Sequence, residues 1–231
     1  MDRTRSLSFR QIYFRRRFVI LFVLLLALIL VTPLVEGFVK LHIIWNIFLT
    51  GIFVSAVYAI SEKKRRVYIA SLLALPMLVS VWSRYFVESN YVLVVGTLCG
   101  VVFFAYMIVN ILLFIYKQDE VTRDLITGAA VVYLLMAIMW VFIYRVVEIA
   151  HPGSFTMPTT QIYDQMSFIY FSLVTITTLG YGDIVPTTNL ARSLATLEAV
   201  IGQLYLMTTV AWLVGVRVTQ SRERKSSPDI S

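Results

Sequence analysis

The chain has a single cysteine, Cys99, set in an apolar run, so no internal disulfide can form and Cys99 reads as a small packing residue. Histidine is almost as scarce. His42 and His151 stand far apart with no cysteine or acidic cluster beside them, which removes the usual ingredients of a metal centre or a hydrolytic site. No enzyme activity, no resident metal and no cofactor are therefore expected. Charged residues make up only 14% of the chain, with no aromatic-interleaved basic patch and no soluble domain to carry one, so nucleic acid is not an expected partner. Alternation of period two is missing from the apolar runs, which argues against a β-barrel. Residues 91–116 lack lysine and arginine altogether.

What fills the sequence instead is hydrophobic residues, 59% of the chain, in long runs broken by short charged segments. Unpaired backbone groups are too costly in hydrocarbon, so runs of this kind are helices that span a bilayer. Six spans are expected, over residues 18–35, 41–60, 67–86, 91–116, 125–149 and 189–218. At ~1.5 Å per residue the first reaches roughly 27 Å, enough to cross. It is long for a signal peptide, and no small-residue cleavage pattern follows it, so it is read as retained. Pro76 falls inside the third span and should kink it.

Lysine and arginine set the orientation. With both termini cytoplasmic, sixteen basic residues lie inside: Arg3, Arg5, Arg10, Arg15, Arg16, Arg17, Lys63, Lys64, Arg65, Arg66, Lys117, Arg123, Arg217, Arg222, Arg224 and Lys225. Only four, Lys40, Arg84, Arg145 and Arg192, lie outside. The positive-inside bias selects this topology, in a plasma membrane of bacterial inner-membrane type.

The last third of the chain differs in kind. Residues 150–163, with Pro152, Gly153 and Pro158, read as an exposed turret, and residues 164–176 as a helix too short to span. Then comes Thr177-Thr178-Leu179-Gly180-Tyr181-Gly182-Asp183. Gly180 and Gly182 alternate with bulkier residues, so the backbone can take positive-φ conformations that a Cβ resists. Successive carbonyls can then turn toward one axis and replace the water shell of a cation.

This motif in this context, between a short helix and a long apolar one, resembles the selectivity filter of the potassium-channel superfamily. The resemblance covers residues 125–218 well and says little about residues 1–124. It implies an all-α integral membrane fold: six transmembrane helices, a re-entrant pore helix and filter loop, and a homotetrameric pore. It also implies K+ as transported ion, held by the carbonyls of Thr178, Leu179, Gly180 and Tyr181 with the Thr178 hydroxyl beneath and Gly182 above. Leu179 stands where the family most often has valine. Because that position gives its carbonyl to the ion and its side chain to the wall behind, selectivity is expected to survive.

Around the filter, Thr177, Tyr170 and Phe171 are expected as support, the two aromatics standing where family members often carry aromatics that brace the filter. Asp183 closes the outer mouth. It either bonds Tyr170, because Val174 replaces the glutamate that one subgroup supplies, or remains a solvated mouth carboxylate. Asp164 would complement the positive end of the pore-helix dipole. In the final span Gly202 is either a hinge or a site of close helix packing. The same register turns Gln203, Leu206, Val210 and Val214 toward the axis. Gln203 would line the cavity or bond between helices, and Val210 with Val214 would form a constriction that gates by dewetting. Glu198 is the one ionisable residue deep in an apolar span, so it should be neutral, or paired near water. Bracing of the pore helix is favoured over proton sensing. Glu148 is expected to pair with Arg145 or Arg192 at the outer surface.

Domain divisions follow: 1–17 a basic cytoplasmic N-terminus, 18–116 four helices without voltage-sensor arginines, 117–124 a cytoplasmic linker, 125–218 the pore domain, and 219–231 a cytoplasmic tail. A steep voltage response needs several charges moving through the field, each yielding about 2.3 kcal/mol per 100 mV, and the fourth span has none. The function expected is passive, K+-selective conduction. The rivals are a nonselective cation channel and a silent or accessory subunit.

Overall fold

The computed structural model describes residues 17–34, 41–60, 64–83, 90–118, 120–156 and 165–226. Apolar sequence becomes helix almost throughout: α1 (Arg17–Leu34), α2 (Leu41–Ala59), α3 (Lys64–Ser83), α4 (Asn90–Ile115) and α5 (Arg123–Ala150). There follow β1 (Phe155–Thr156), α6 (Gln165–Ile176), β2 (Val185–Pro186) and α7 (Asn189–Ser226). The basic arm 1–16, together with Lys40, Lys63 and Arg84, lies outside the described residues. Among the described residues four helices, α3, α4, α5 and α7, are long and apolar enough to cross a membrane. The apolar stretches of α1 and α2 within those residues, Phe18–Val31 and Asn46–Ala59, are shorter. Pro76 lies inside α3, which continues to Ser83.

Helix α5 is the hub, packing against α1, α4, α6 and α7. Its start is defined by Thr122, whose side chain accepts from the Leu125 N–H, with Asp124 in the first turn to match the helix dipole. Between α2, α4 and α5 the contact is aromatic: Phe53 meets Phe103 at 4.4 Å between ring centroids, and Phe104 meets Phe142 at 5.4 Å. Gly100 of α4 allows this approach, since a Cβ there would come within 2.8 Å of the Phe142 ring. Helices α1 and α4 thus pack directly on α5, while α2 and α3 are joined to it through them.

Helix α7 is the opposite case. Only 11% of its spanning window is buried, against 61% for α5. Its 38 residues make about 57 Å of helix, well beyond a hydrocarbon core of ~30 Å. The helix therefore continues past Val218, where the sequence reading ended it. The linker after α4 lies against this lower part: Tyr116 meets the Trp212 ring edge-on at 5.2 Å, and the Val121 N–H donates to Gln220 Oε1 at 3.3 Å.

Beyond α5, β1 and β2 pair antiparallel, Phe155 opposite Pro186 and Thr156 opposite Val185. The Thr187 N–H donates to the Ser154 carbonyl, and the Thr187 hydroxyl donates to the Gly153 carbonyl at 2.6 Å. Within the segment expected as an exposed turret, residues 150–153 and Thr156 are exposed, whereas Ser154 and Phe155 are not. Ser154 and Phe155 are buried, because residues 185–187 are stitched across them and Phe155 fills an aromatic pocket.

Candidate ion-conduction site

The site is built at the C-terminus of α6. Twelve residues give about 18 Å of helix, too short to cross, so α6 delivers its negative end partway through the structure. Asp164, expected at its other end, lies outside the described residues. At the C-terminus the chain turns sharply. The N–H groups of Leu179 and Gly180 both donate to the Val174 carbonyl, at 2.9 and 3.3 Å, and that of Thr178 donates to Thr175 at 2.9 Å. The Thr177 hydroxyl donates to the Leu173 carbonyl at 2.6 Å, which fixes it against the last helical turn.

Three alternate residues then adopt left-handed backbone: Thr178 with φ 59°, Gly180 with φ 57° and Gly182 with φ 81°. The two glycines were legible in advance; Thr178 was not. A β-branched residue in this region costs on the order of 1–3 kcal/mol and persists only where its surroundings over-determine it. Here the N–H bonds on either side of Thr178 do so. Among the described residues no hydrogen bond ends on the carbonyls of Thr178, Leu179, Gly180 or Tyr181. These four residues are exposed, so their carbonyls are open to a ligand from outside the chain. The large side chains here are also uncovered: Leu179 is 55% and Tyr181 66% exposed.

Tyr170 stacks on Tyr181 at 6.4 Å with the rings 8° apart, and its hydroxyl is close enough to the Asp183 carboxylate to interact with it. Phe171 faces elsewhere. It is buried against Tyr144 and Phe155, and so ties α6 to the outer helix and to β1. Behind α6 lies a group of residues that the sequence did not single out. Tyr133 donates to the Ile176 carbonyl at 3.0 Å and stacks on Tyr205, which donates to the Ala129 carbonyl at 2.7 Å. Ser172 lies within hydrogen-bonding distance of both the Ala137 carbonyl, at 2.8 Å, and Glu198 Oε1, at 2.5 Å. The Tyr144 hydroxyl donates to Glu198 Oε2. The available signal was tyrosine in an apolar helix, since a buried hydroxyl needs a partner; which partner it takes is not readable locally.

Gly202 meets α6 at Ile176: a Cβ there would lie 2.5 Å from Ile176 Cγ1 and 2.9 Å from its carbonyl oxygen. Helix α7 passes through this point unbroken. Further along, Gln203 is half-buried, while Leu206, Val210 and Val214 are exposed along α7. Glu148, expected at the surface, is buried: its Oε1 accepts from the Gly153 N–H at 2.7 Å, while Arg192 Nε donates to the Pro186 carbonyl at 3.1 Å.

Residues 120–217 match a protein family described as "Ion channel". Over 97 residues the chain is 38% identical to the inward rectifier potassium channel Kirbac3.1 of Paramagnetospirillum magnetotacticum, a match covering 42% of this chain and 29% of that relative. No solved structure matches the chain. The comparisons thus point to an ion channel, not an enzyme, and to the same segment in which the short helix, the left-handed turns and the exposed final helix lie. The likeness is confined to residues 120–217, which resemble the ion-channel family, and the chain spans less than a third of the length of the potassium channel that it matches.

Proposed function

We propose that the chain is one subunit of a homotetrameric channel conducting K+ selectively and passively across a plasma membrane, with six spans and both termini cytoplasmic. The observation that carries this reading is the alternation of left-handed residues at 178, 180 and 182 beside four unpaired carbonyls. Around one axis, four such segments would offer rings of oxygens at Thr178, Leu179, Gly180 and Tyr181 that substitute for the hydration shell of the ion. The exposure of Leu179 and Tyr181 supports the tetramer, since neighbouring subunits would supply the missing wall. So does the bare face of α7. Val210 and Val214 would narrow the inner pathway, and Asp183, beside Tyr170, would stand at the outer mouth. The fourth helix carries no lysine or arginine for steep voltage gating, and α1 and α4 would brace α5.

The test is tetramer mass in detergent together with K+ flux in liposomes, for wild type and Gly180→Ala. Potassium-driven flux from a tetramer, abolished by an alanine that leaves the tetramer intact, supports the reading. Equal K+ and Na+ flux identifies a nonselective pore, with Leu179 as the first residue to change. Flux indifferent to Gly180→Ala sinks the assignment of the filter.

A further inference from the structure

Glu198 is fully buried in α7, and its two oxygens reach the two other helices that hold the filter. The proton count around it is constrained. Tyr144 has one hydroxyl proton and gives it to Glu198 Oε2. Ser172 also has one, yet its Oγ lies 2.8 Å from the Ala137 carbonyl and 2.5 Å from Glu198 Oε1. If Glu198 were ionised, one of those two short oxygen pairs would hold no proton and would set two acceptors against each other. If Glu198 carries the proton on Oε1, every contact closes. Oε1–H donates to Ser172 Oγ, Ser172 donates to the Ala137 carbonyl, and Tyr144 donates to Oε2.

Resting on the channel reading above, we propose that Glu198 is a neutral, proton-donating clasp that positions the pore helix by joining α7 to Ser172 of α6 and Tyr144 of α5. Ile176, one helical turn beyond Ser172, is where Gly202 and Tyr133 make the lower contact. The pore helix is thus held at two levels. The upper hold acts through donors and acceptors whose directions are fixed, and a neutral acid suits that place because it brings no net charge into an apolar span. Glutamine reproduces the arrangement: its amide N–H replaces Oε1–H and its carbonyl replaces Oε2. An ionised carboxylate could not be replaced in this way.

The experiment uses the full chain in phospholipid vesicles, combining infrared spectroscopy with K+ and Na+ flux for wild type, Glu198→Gln, Glu198→Ala and Tyr144→Phe. Wild type is expected to show the carbonyl band of a protonated, solvent-shielded carboxylic acid, and the band is expected to vanish in Glu198→Gln. The K+/Na+ flux ratio should be unchanged in Glu198→Gln. It should fall by about threefold to tenfold in Tyr144→Phe, the factor for one lost hydrogen bond, and by more in Glu198→Ala, which loses both. Should Glu198→Ala not assemble, Tyr144→Phe and the wild-type band still decide the matter. A missing acid band, or Glu198→Gln behaving as Glu198→Ala, overturns the clasp. A selective wild type with all three variants unchanged overturns it too and leaves the channel reading standing. Absence of flux from wild type and from Val214→Asp alike overturns the channel reading, while the band still reports the proton on Glu198.

Discussion

Replacing Gly202 with alanine sets two effects against each other, and their sizes decide the sign. In a free helix the change would stabilise by about 1 kcal/mol, because glycine is the poorer helix former. At this position the new Cβ would meet Ile176 Cγ1 at 2.5 Å and the Ile176 carbonyl at 2.9 Å. Neither atom is the end of a flexible side chain, so the helices must move apart, and overpacking of this kind costs about 1–3 kcal/mol. The Ile176 carbonyl also accepts from Tyr133, and disturbing that bond adds about 0.5–1.5 kcal/mol. The net loss is roughly 1–3 kcal/mol per subunit, by difference of these terms. Thermal unfolding of the detergent-solubilised assembly should therefore fall, and flux should fall with it, since Ile176 lies two residues before Thr178. If Gly202 served only as a hinge, alanine would stiffen the helix and raise the unfolding temperature. A rise, or no change in either quantity, would refute the packing argument.

Two further perturbations test other parts of the site. Tyr170→Phe keeps the stacking on Tyr181 but removes the hydroxyl that interacts with Asp183, so sustained K+ flux should decay faster than in wild type while initial flux and assembly are preserved; time-resolved flux measures this, and identical decay would contradict a supporting role for that interaction. Val214→Asp places a charged group on the exposed line of α7, where it should wet the constriction and raise K+ flux in liposomes without altering the K+/Na+ ratio; a variant no more conductive than wild type would remove Val214 from the gate.

The parts of this architecture that were readable from sequence are those fixed by local composition. Apolar runs bounded by charge marked the helices, and two glycines spaced by one residue marked the turns at Gly180 and Gly182. Thr178 escaped because its left-handed backbone is imposed by hydrogen bonds to α6, against the preference of a β-branched side chain. Helix α7 was cut short at Val218 because hydropathy ends there. The helix goes on through Arg222, Glu223, Arg224 and Lys225, which are good helix formers whatever their polarity. The burial of Ser154 and Phe155 depends on strand pairing with a segment some thirty residues later, which turn-forming residues such as Pro152 and Gly153 do not reveal. The same holds for Tyr144 and Ser172. Each could be recognised as polar in an apolar setting, but their meeting at Glu198 spans 54 and 26 residues of sequence and exists only once three helices have packed.

The central claim is that the carbonyls from Thr178 to Tyr181 form a K+-selective path. Its most direct test is the reversal potential of purified protein in a planar bilayer with K+ on one side and Na+ on the other. A potential set by K+ alone, lost in Gly180→Ala, is the result this account predicts. A potential near zero, with current carried equally by both ions, would contradict it.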